Sequence, residues 1–260
     1  MKHKEPIYVI GFPKSGNTWL ARLLSEVTQS EIEATNVVDG ADNSSDKKGS
    51  YIIHKQHSVE DVEKVLECKV IFIVRDVRDV LVSAFFFCNT FVCEDWVKRK
   101  GRVGWIRGLL YKAYFQHQIS RTNEHLCGNE LLVILNWMRG DKNEIGSWSD
   151  HVLYWSSQPG VLIVRYEDLL NNTEYEMRRI LDALGITVDN EKIINTVINQ
   201  SFDNKKENFL NSDNLSNFKF LRSGKSGGWC EFLSQPMVEN IEKKHGDVMR
   251  QFGYKLGSKN

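Results

Sequence analysis

Residues Ile7 to Trp19 read IYVIGFPKSGNTW: a short apolar run, a loop with two glycines, and the opening of a helix. Ile7, Tyr8, Val9 and Ile10 have the β-rich character of a strand covered on both faces, and Gly11 and Pro13 end it. Beyond the loop Trp19, Leu20, Leu23, Leu24 and Val27 recur at helical spacing, which predicts a helix starting near Thr18. The first amides of a helix have no intrahelical partner and sit at the positive end of its dipole. With Ser15, Thr18 and the Lys14 ammonium they make an anion cradle, so this stretch predicts phosphate binding.

The spacing invites comparison with the nucleotide-triphosphate loop G-x-x-x-x-G-K-[ST], since Gly11, Gly16 and Thr18 fall where that motif wants Gly, Gly and Ser/Thr. Asn17 stands in the lysine's place. The nearby Lys14 lies upstream, so its charge approaches a phosphate from the other side of the loop. That arrangement argues against an ordinary kinase or ATPase.

P-K-S-G-x-T-W after a short buried strand resembles the 5'-phosphosulfate loop of the sulfotransferases, which move a sulfuryl group from 3'-phosphoadenosine 5'-phosphosulfate (PAPS) to a hydroxyl or amine. The family's usual Thr is Asn17 here. The resemblance implies donor contacts from Lys14, Ser15, Gly16, Asn17, Thr18 and Trp19. A second block, KVIFIVRDVRDVLVSAFFF from Lys69 to Phe87, is again a buried strand, a charged turn and a helix. Arg75, Asp79 and Ser83 in it resemble the family's 3'-phosphate element R-x-x-x-D-x-x-x-S. Arg offers a forked, permanent charge to a phosphate, and Ser a hydroxyl. A third block, FLRSGKSGGW from Phe220 to Trp229, resembles the R-K-G-x-x-G-D-W loop that folds over the nucleotide. Here Ser223 replaces Lys and Gly228 replaces Asp, with Lys225 close by. The contacts carried over are Arg222, Ser223 and the Gly224 amide.

Sulfuryl transfer needs removal of the acceptor proton, in-line approach and neutralisation of charge on the leaving phosphate. Lys55-x-His57, in the tract YIIHKQHS from Tyr51, lines up with the family's K-T-H element, which makes His57 the general base, with His54 as competitor. Strand alternation puts 54 and 56 on one face and 55 and 57 on the other, so one histidine faces the site. The resemblance implies Lys14 as the group that stabilises the leaving oxygen and Ser83 as its restraint. No metal is expected: the seven His and five Cys show no ligand quartet, and the donor lacks the β/γ-phosphate pair that calls for magnesium.

The remainder predicts an α/β chain. A strand from Val161 to Val164 runs into Arg165-Tyr166-Glu167-Asp168, similar to the family's Y-E-D element, with a helix from about Asn172 to Leu184. A helix from about Asn190 to Asn199 precedes Ser201-Phe202, and a last one runs from Pro236 to about Phe252. Tyr166 and Phe202 are candidate adenine contacts. Alternation of strands and helices predicts a P-loop-like three-layer fold, with a central, mainly parallel sheet flanked by helices and ligand at the carboxyl ends of the strands. Residues 1–260 are expected to form a single sulfotransferase domain with 88–147 as an acceptor-recognition insert. Within it, helix is predicted for Gly108 to Glu124 and strand for Leu131 to Leu135. The polar stretch from Asp39 to Ser50 is expected to be a surface loop.

Composition sets limits. With 41% hydrophobic residues the chain can bury a full core, and no repeat or low-complexity tract divides it. Cationic and anionic residues number 34 each, so bulk charge gives no reason to expect nucleic-acid or membrane binding. No segment approaches ~20 apolar residues and no signal-type core follows Met1, which predicts a cytoplasmic enzyme. Five scattered cysteines fit a reducing compartment. The compact length resembles small bacterial sulfotransferases acting on sugars or natural products. The alternatives are a divergent P-loop kinase and a nucleotide-binding module without catalysis; oligomeric state has no readable signal.

Overall fold

The apolar run that opens the chain forms β1 (Glu5–Gly11), and the cradle loop after it leads into α1 (Asn17–Thr28). In this computed structural model the described residues are 4–34, 48–87, 146–211 and 223–257. The chain continues through β2 (Glu31–Ala34), β3 (Tyr51–Gln56), α2 (Val62–Leu66), β4 (Lys69–Val74) and α3 (Val77–Phe87). From residue 146 it adds α4 (Trp148–Ser156), β5 (Leu162–Arg165), α5 (Tyr166–Asn171), α6 (Thr173–Ala183), α7 (Asn190–Asn199) and α8 (Phe202–Asn211), then α9 (Trp229–Phe232) and α10 (Gln235–Gln251). The described residues fall into two compact units: those up to 75 together with 146–225, and 76–87 together with 226–257. The expectations for 108–124, 131–135, most of 88–147 and most of 39–50 lie outside the described residues.

The first unit is built on a five-stranded sheet in the order β2-β3-β1-β4-β5, parallel throughout. The chain crosses from β3 on one side of β1 to β4 on the other, the topology that opens a ligand crevice at the strands' carboxyl ends. One sheet face presents Ile7, Val9, Ile53, Ile71, Ile73 and Val164, packed with Leu20, Leu23 and Leu24 of α1 and with Met177 and Ile180 of α6. Each such side chain contributes about 1.5–3 kcal/mol through burial. Phe72, whose side chain alternates to the opposite face, meets His151 of α4 at 5.6 Å between ring centroids. Helices thus cover both faces, as the sequence predicts.

Two short elements were not expected from the sequence. The helix predicted from about Asn172 to Leu184 is α6, but the residues just before it are helical too, as α5; Asn172 separates the two, leaving the helical conformation while its side chain accepts the Tyr175 amide to cap α6. Strand β2 escapes sequence reading because it is four residues long and three of them, two Glu and one Ala, are poor strand formers.

In the second unit, Arg78 of α3 is buried between Asp76 and Glu242, at 2.6 and 2.8 Å, with its guanidinium 3.9 Å from the Trp229 ring centre. The Asp79 carboxylate accepts the backbone amides of Gly227 and Trp229 at 2.7 and 3.0 Å. These contacts tie α3 to α9 and α10.

Gly11 is packed closely against β4. A Cβ there would stand 2.6 Å from the Ile73 carbonyl oxygen and 2.9 Å from Asn17 Oδ1. A backbone carbonyl in a sheet cannot give way, so Gly11→Ala is expected to lower unfolding stability by about 1–3 kcal/mol. Urea unfolding checks it, and a variant with the wild-type midpoint refutes this account of the strand end.

Candidate active site

The strands β1, β3, β4 and β5 end at Gly11, Gln56, Val74 and Arg165, and the next residues along the chain are the cradle loop, His57, Arg75 and Tyr166. A parallel sheet therefore gathers onto one edge residues far apart in sequence.

The cradle has the backbone of an anion site. Lys14 and Gly16 both have positive φ, 71° and 106°, and the Ser15 amide donates to the Phe12 carbonyl at 3.0 Å. At Gly16 a side chain would also collide with the Tyr166 ring, 2.6 Å from the position of a Cβ. No side chain caps α1, and its first turn holds no acidic residue, so its positive end is left for another anion. Ser15 is fully buried, yet its hydroxyl has no hydrogen-bond partner among the described residues. Thr18 is half-buried in the first turn of α1.

Asn17, in the kinase lysine's place, turns under the loop. Its amide nitrogen donates to the carbonyls of Gly11 and Gln56 at 3.0 and 3.3 Å, tying the end of β1 to the end of β3. It cannot make the charged contact that a lysine there makes to a phosphate.

His57 sits one residue beyond β3, with Nδ1 2.8 Å from the Gly11 carbonyl oxygen. Because a carbonyl only accepts, the proton is on Nδ1, and Nε2 carries the lone pair. The pKa is pushed down to about 4, chiefly by burial; the Gly11 bond opposes this, while Lys55, His151 and Lys14 add positive charge that supports it. The imidazole is therefore neutral at neutral pH, with its lone pair on Nε2. His54 is placed elsewhere: it stacks on Tyr8 at 4.7 Å, with Nδ1 3.2 Å from Glu33. Lys55 is buried on the α1 side, where desolvation first and Arg22 second bring its pKa down to about 8.

Arg75 is 7% exposed. Its Nη1 and Nη2 donate to the carbonyls of Lys14 and Lys225 at 3.2 and 3.1 Å, and the guanidinium lies 4.1 Å from the Tyr166 ring centre. Nε has no partner, and no carboxylate pairs with this cation among the described residues. Trp19 meets Tyr166 edge-on at 5.9 Å, and its indole N–H donates to the Gln200 carbonyl at 3.0 Å. Phe202 packs on Gly224, where a Cβ would lie 2.4 Å from the ring. Ser223 is half-buried beside them in sequence. Arg222 lies outside the described residues. Ser83 is half-buried on α3, in the other unit.

Sequence reading missed α4. The structure sets His151 Nε2 2.8 Å from the His57 carbonyl oxygen and Trp148 Nε1 3.2 Å from that of Arg75. Burial lowers the His151 pKa to about 4, against the opposing effect of that hydrogen bond. The available signal was Ser147-x-x-Asp150, a capping pattern, followed by Val152 and Trp155 at helical spacing from Trp148.

Comparison with known proteins follows the same lines. The profile of the family described as Sulfotransferase domain matches residues 4–253, and the chain belongs to that family. It is 24% identical to rat sulfotransferase 2A6 over 275 residues, covering 96% of this chain and 86% of the relative. Human sulfotransferase 2A1 is 24% identical over 278 residues, 94% of this chain and 84% of its own length. Mouse sulfotransferase SULT7A1 complexed with PAP superposes with a TM-score of 0.62 at 21% identity, covering 95% and 85% of the two chains. Retinol dehydratase in complex with androsterone and inactive cofactor PAP gives 0.60 at 15% identity, covering 97% and 82%. No helix among the described residues is long and apolar enough to cross a membrane.

The depressed His57 pKa has a stability consequence with a definite sign. An unfolded histidine titrates near 6.5, so as pH falls from about 7 towards 4 the unfolded chain takes up a proton that folded His57 refuses, and stability is lost through that window. Urea unfolding of wild type and His57→Gln at several pH values tests this. The variant should lose less stability between pH 7 and 5, and equal slopes refute the neutral imidazole.

Proposed function

We propose that this sulfotransferase moves the sulfuryl group of PAPS to a hydroxyl, or an amine, of a small-molecule acceptor, with sugars and natural products in the acceptor class. The observation that carries the donor assignment is Arg75, a buried cation without a carboxylate partner among the described residues, bonded to the Lys14 carbonyl of a loop whose Ser15 hydroxyl has no partner among those residues and which opens the uncapped α1. A buried charge of this kind calls for an anion. Both donor phosphates have candidate ligands: Lys14, Ser15, Gly16 and Thr18 for the 5' side, and Arg75 for the 3' side. Ser83, Arg222, Ser223 and Gly224 are assigned from the sequence motifs alone. Trp19, Tyr166 and Phe202 supply the aromatic surface for adenine.

PAPS supplies an activated sulfuryl group; the chain's own residues orient it and move one proton. His57 Nε2 takes the acceptor hydroxyl's proton as the acceptor oxygen bonds to sulfur. The bond from sulfur to the phosphate oxygen breaks, and the Lys14 ammonium stabilises the charge left on that oxygen. Asn17 contributes by holding strand ends, which sets this site apart from a kinase loop. Androsterone and retinol, named with the retinol dehydratase structures, are both alcohols and support a hydroxyl acceptor. We assign the enzyme to the cytoplasm on its sequence.

Calorimetric titration with 3'-phosphoadenosine 5'-phosphate (PAP) and, separately, with ATP plus magnesium tests the donor. Metal-independent preference for the bisphosphate is expected; preference for magnesium ATP overturns the reading in favour of a kinase. Arg75→Ala should weaken the bisphosphate about 10- to 100-fold and its 3'-hydroxyl analogue far less. His57→Ala should lower kcat by about 10²- to 10⁴-fold with nucleotide affinity retained.

A further inference from the structure

We propose that α4 is a positioning helix: Trp148 and His151, one turn apart, hold the backbone carbonyls of Arg75 and His57 and so register the phosphate ligand and the base against one rigid element. Both side chains are buried, 2% and 5% exposed, and each spends a ring N–H on a strand-end carbonyl rather than on solvent. Residues at i and i+3 share a helix face, so the two bonds come from one side of α4. The helix start is itself fixed, because the Ser147 hydroxyl accepts the Asp150 amide at 3.2 Å and the Asp150 carboxylate accepts the Ser147 amide at 3.2 Å. Phe12 and Phe72 pack on the His151 ring, with centroids 5.7 and 5.6 Å away, which restricts its rotation.

The carbonyl fixes the chemistry of the contact. His57 O only accepts, so His151 carries its proton on Nε2 and donates it. His57 is then held at two points, its carbonyl by His151 and its ring Nδ1 by the Gly11 carbonyl, and Nε2 is the nitrogen left for substrate. Without the His151 bond the chain leaving β3 can shift, and Nε2 shifts with it. A displacement of about 1 Å at a reacting atom costs on the order of a hundredfold in rate.

The inference rests on His57 as base and Arg75 as phosphate ligand, and its test separates the two failures. Gln at 151 can present an amide N–H near the position of the imidazole Nε2–H; Phe fills the space without a donor. His151→Phe should lower kcat by about 10- to 100-fold with PAP affinity within about twofold. His151→Gln should stay within a few-fold of wild type. Nitrogen-15 spectra of the His57 ring, read without turnover, should keep the wild-type Nδ1–H pattern in His151→Gln and lose it in His151→Phe. Trp148→Phe should instead weaken PAP several-fold, through Arg75. Equal kcat losses in Gln and Phe variants, or a His57 spectrum indifferent to His151→Phe, overturn the proposal. So does unchanged PAP affinity in Trp148→Phe. If His151→Phe does not fold, the Gln variant decides alone: retained kcat and His57 pattern support the donor role, and their loss refutes it. Should His57 not be the base, His57→Ala keeps turnover while the His57 spectrum still responds to His151→Phe.

Discussion

The carbonyl oxygen of Gly11 is the atom on which the site depends. It has two lone pairs, and the structure uses both: one for the Asn17 amide, which closes the cradle loop onto the strand ends, and one for Nδ1 of His57. The first bond fixes where α1 begins. The second fixes the tautomer of His57. Both require β1 and β4 to pack so closely at this level that only glycine fits beside the Ile73 carbonyl. The cradle loop and the His57 imidazole are therefore one construction, and a shift at the end of β1 moves both.

Electrostatics decides what that construction receives. Arg75 and Arg78 are close in sequence and equally buried, yet their surroundings differ in kind. Arg78 is neutralised by Asp76 and Glu242 and ties three segments of its own unit together. Arg75 has two neutral carbonyls and an aromatic face but no carboxylate among the described residues, so its charge has no counter-ion there. The residual imbalance favours an anionic ligand. His57 is kept neutral chiefly by desolvation, with Lys55, His151 and Lys14 adding positive charge that disfavours a second cation. Local cationic residues thus help to hold the imidazole in its neutral form, in a chain whose overall charge is zero.

Much of this was legible from sequence because it is encoded locally. The apolar runs of β1 and β4, the helical spacing after the loop and the residues that punctuate them lie within short windows, and each window gave the element and its ligand class. His151 and Trp148 were not legible, because a histidine or tryptophan on a helix face reads equally as core. Only the parallel sheet brings α4 to the carbonyls of residues 57 and 75. Asn17 has a role that the motif does not show: beside the donor contact that its position suggests, its side-chain amide bonds two strand ends, which depends on the pairing of β1 with β3. The short acidic strand β2 stayed hidden because its pairing, rather than its composition, makes it a strand.

Gly228 bears on how departures from a family pattern should be read. The related loop element carries Asp at that position, and its loss suggests a missing polar contact. The carboxylate of Asp79 instead holds the loop, accepting the amides on either side of residue 228. A Cβ on Gly228 would lie 4.0 Å from Asp79 Oδ1, so an aspartate there would set two carboxylates against each other. At such a separation like charges cost about 1 to 4 kcal/mol, depending on solvent access. Asp79, although it falls inside the phosphate motif, is thereby a loop anchor. An anion in that role cannot also favour a phosphate, whereas Arg75, in the same motif, has no carboxylate partner among the described residues.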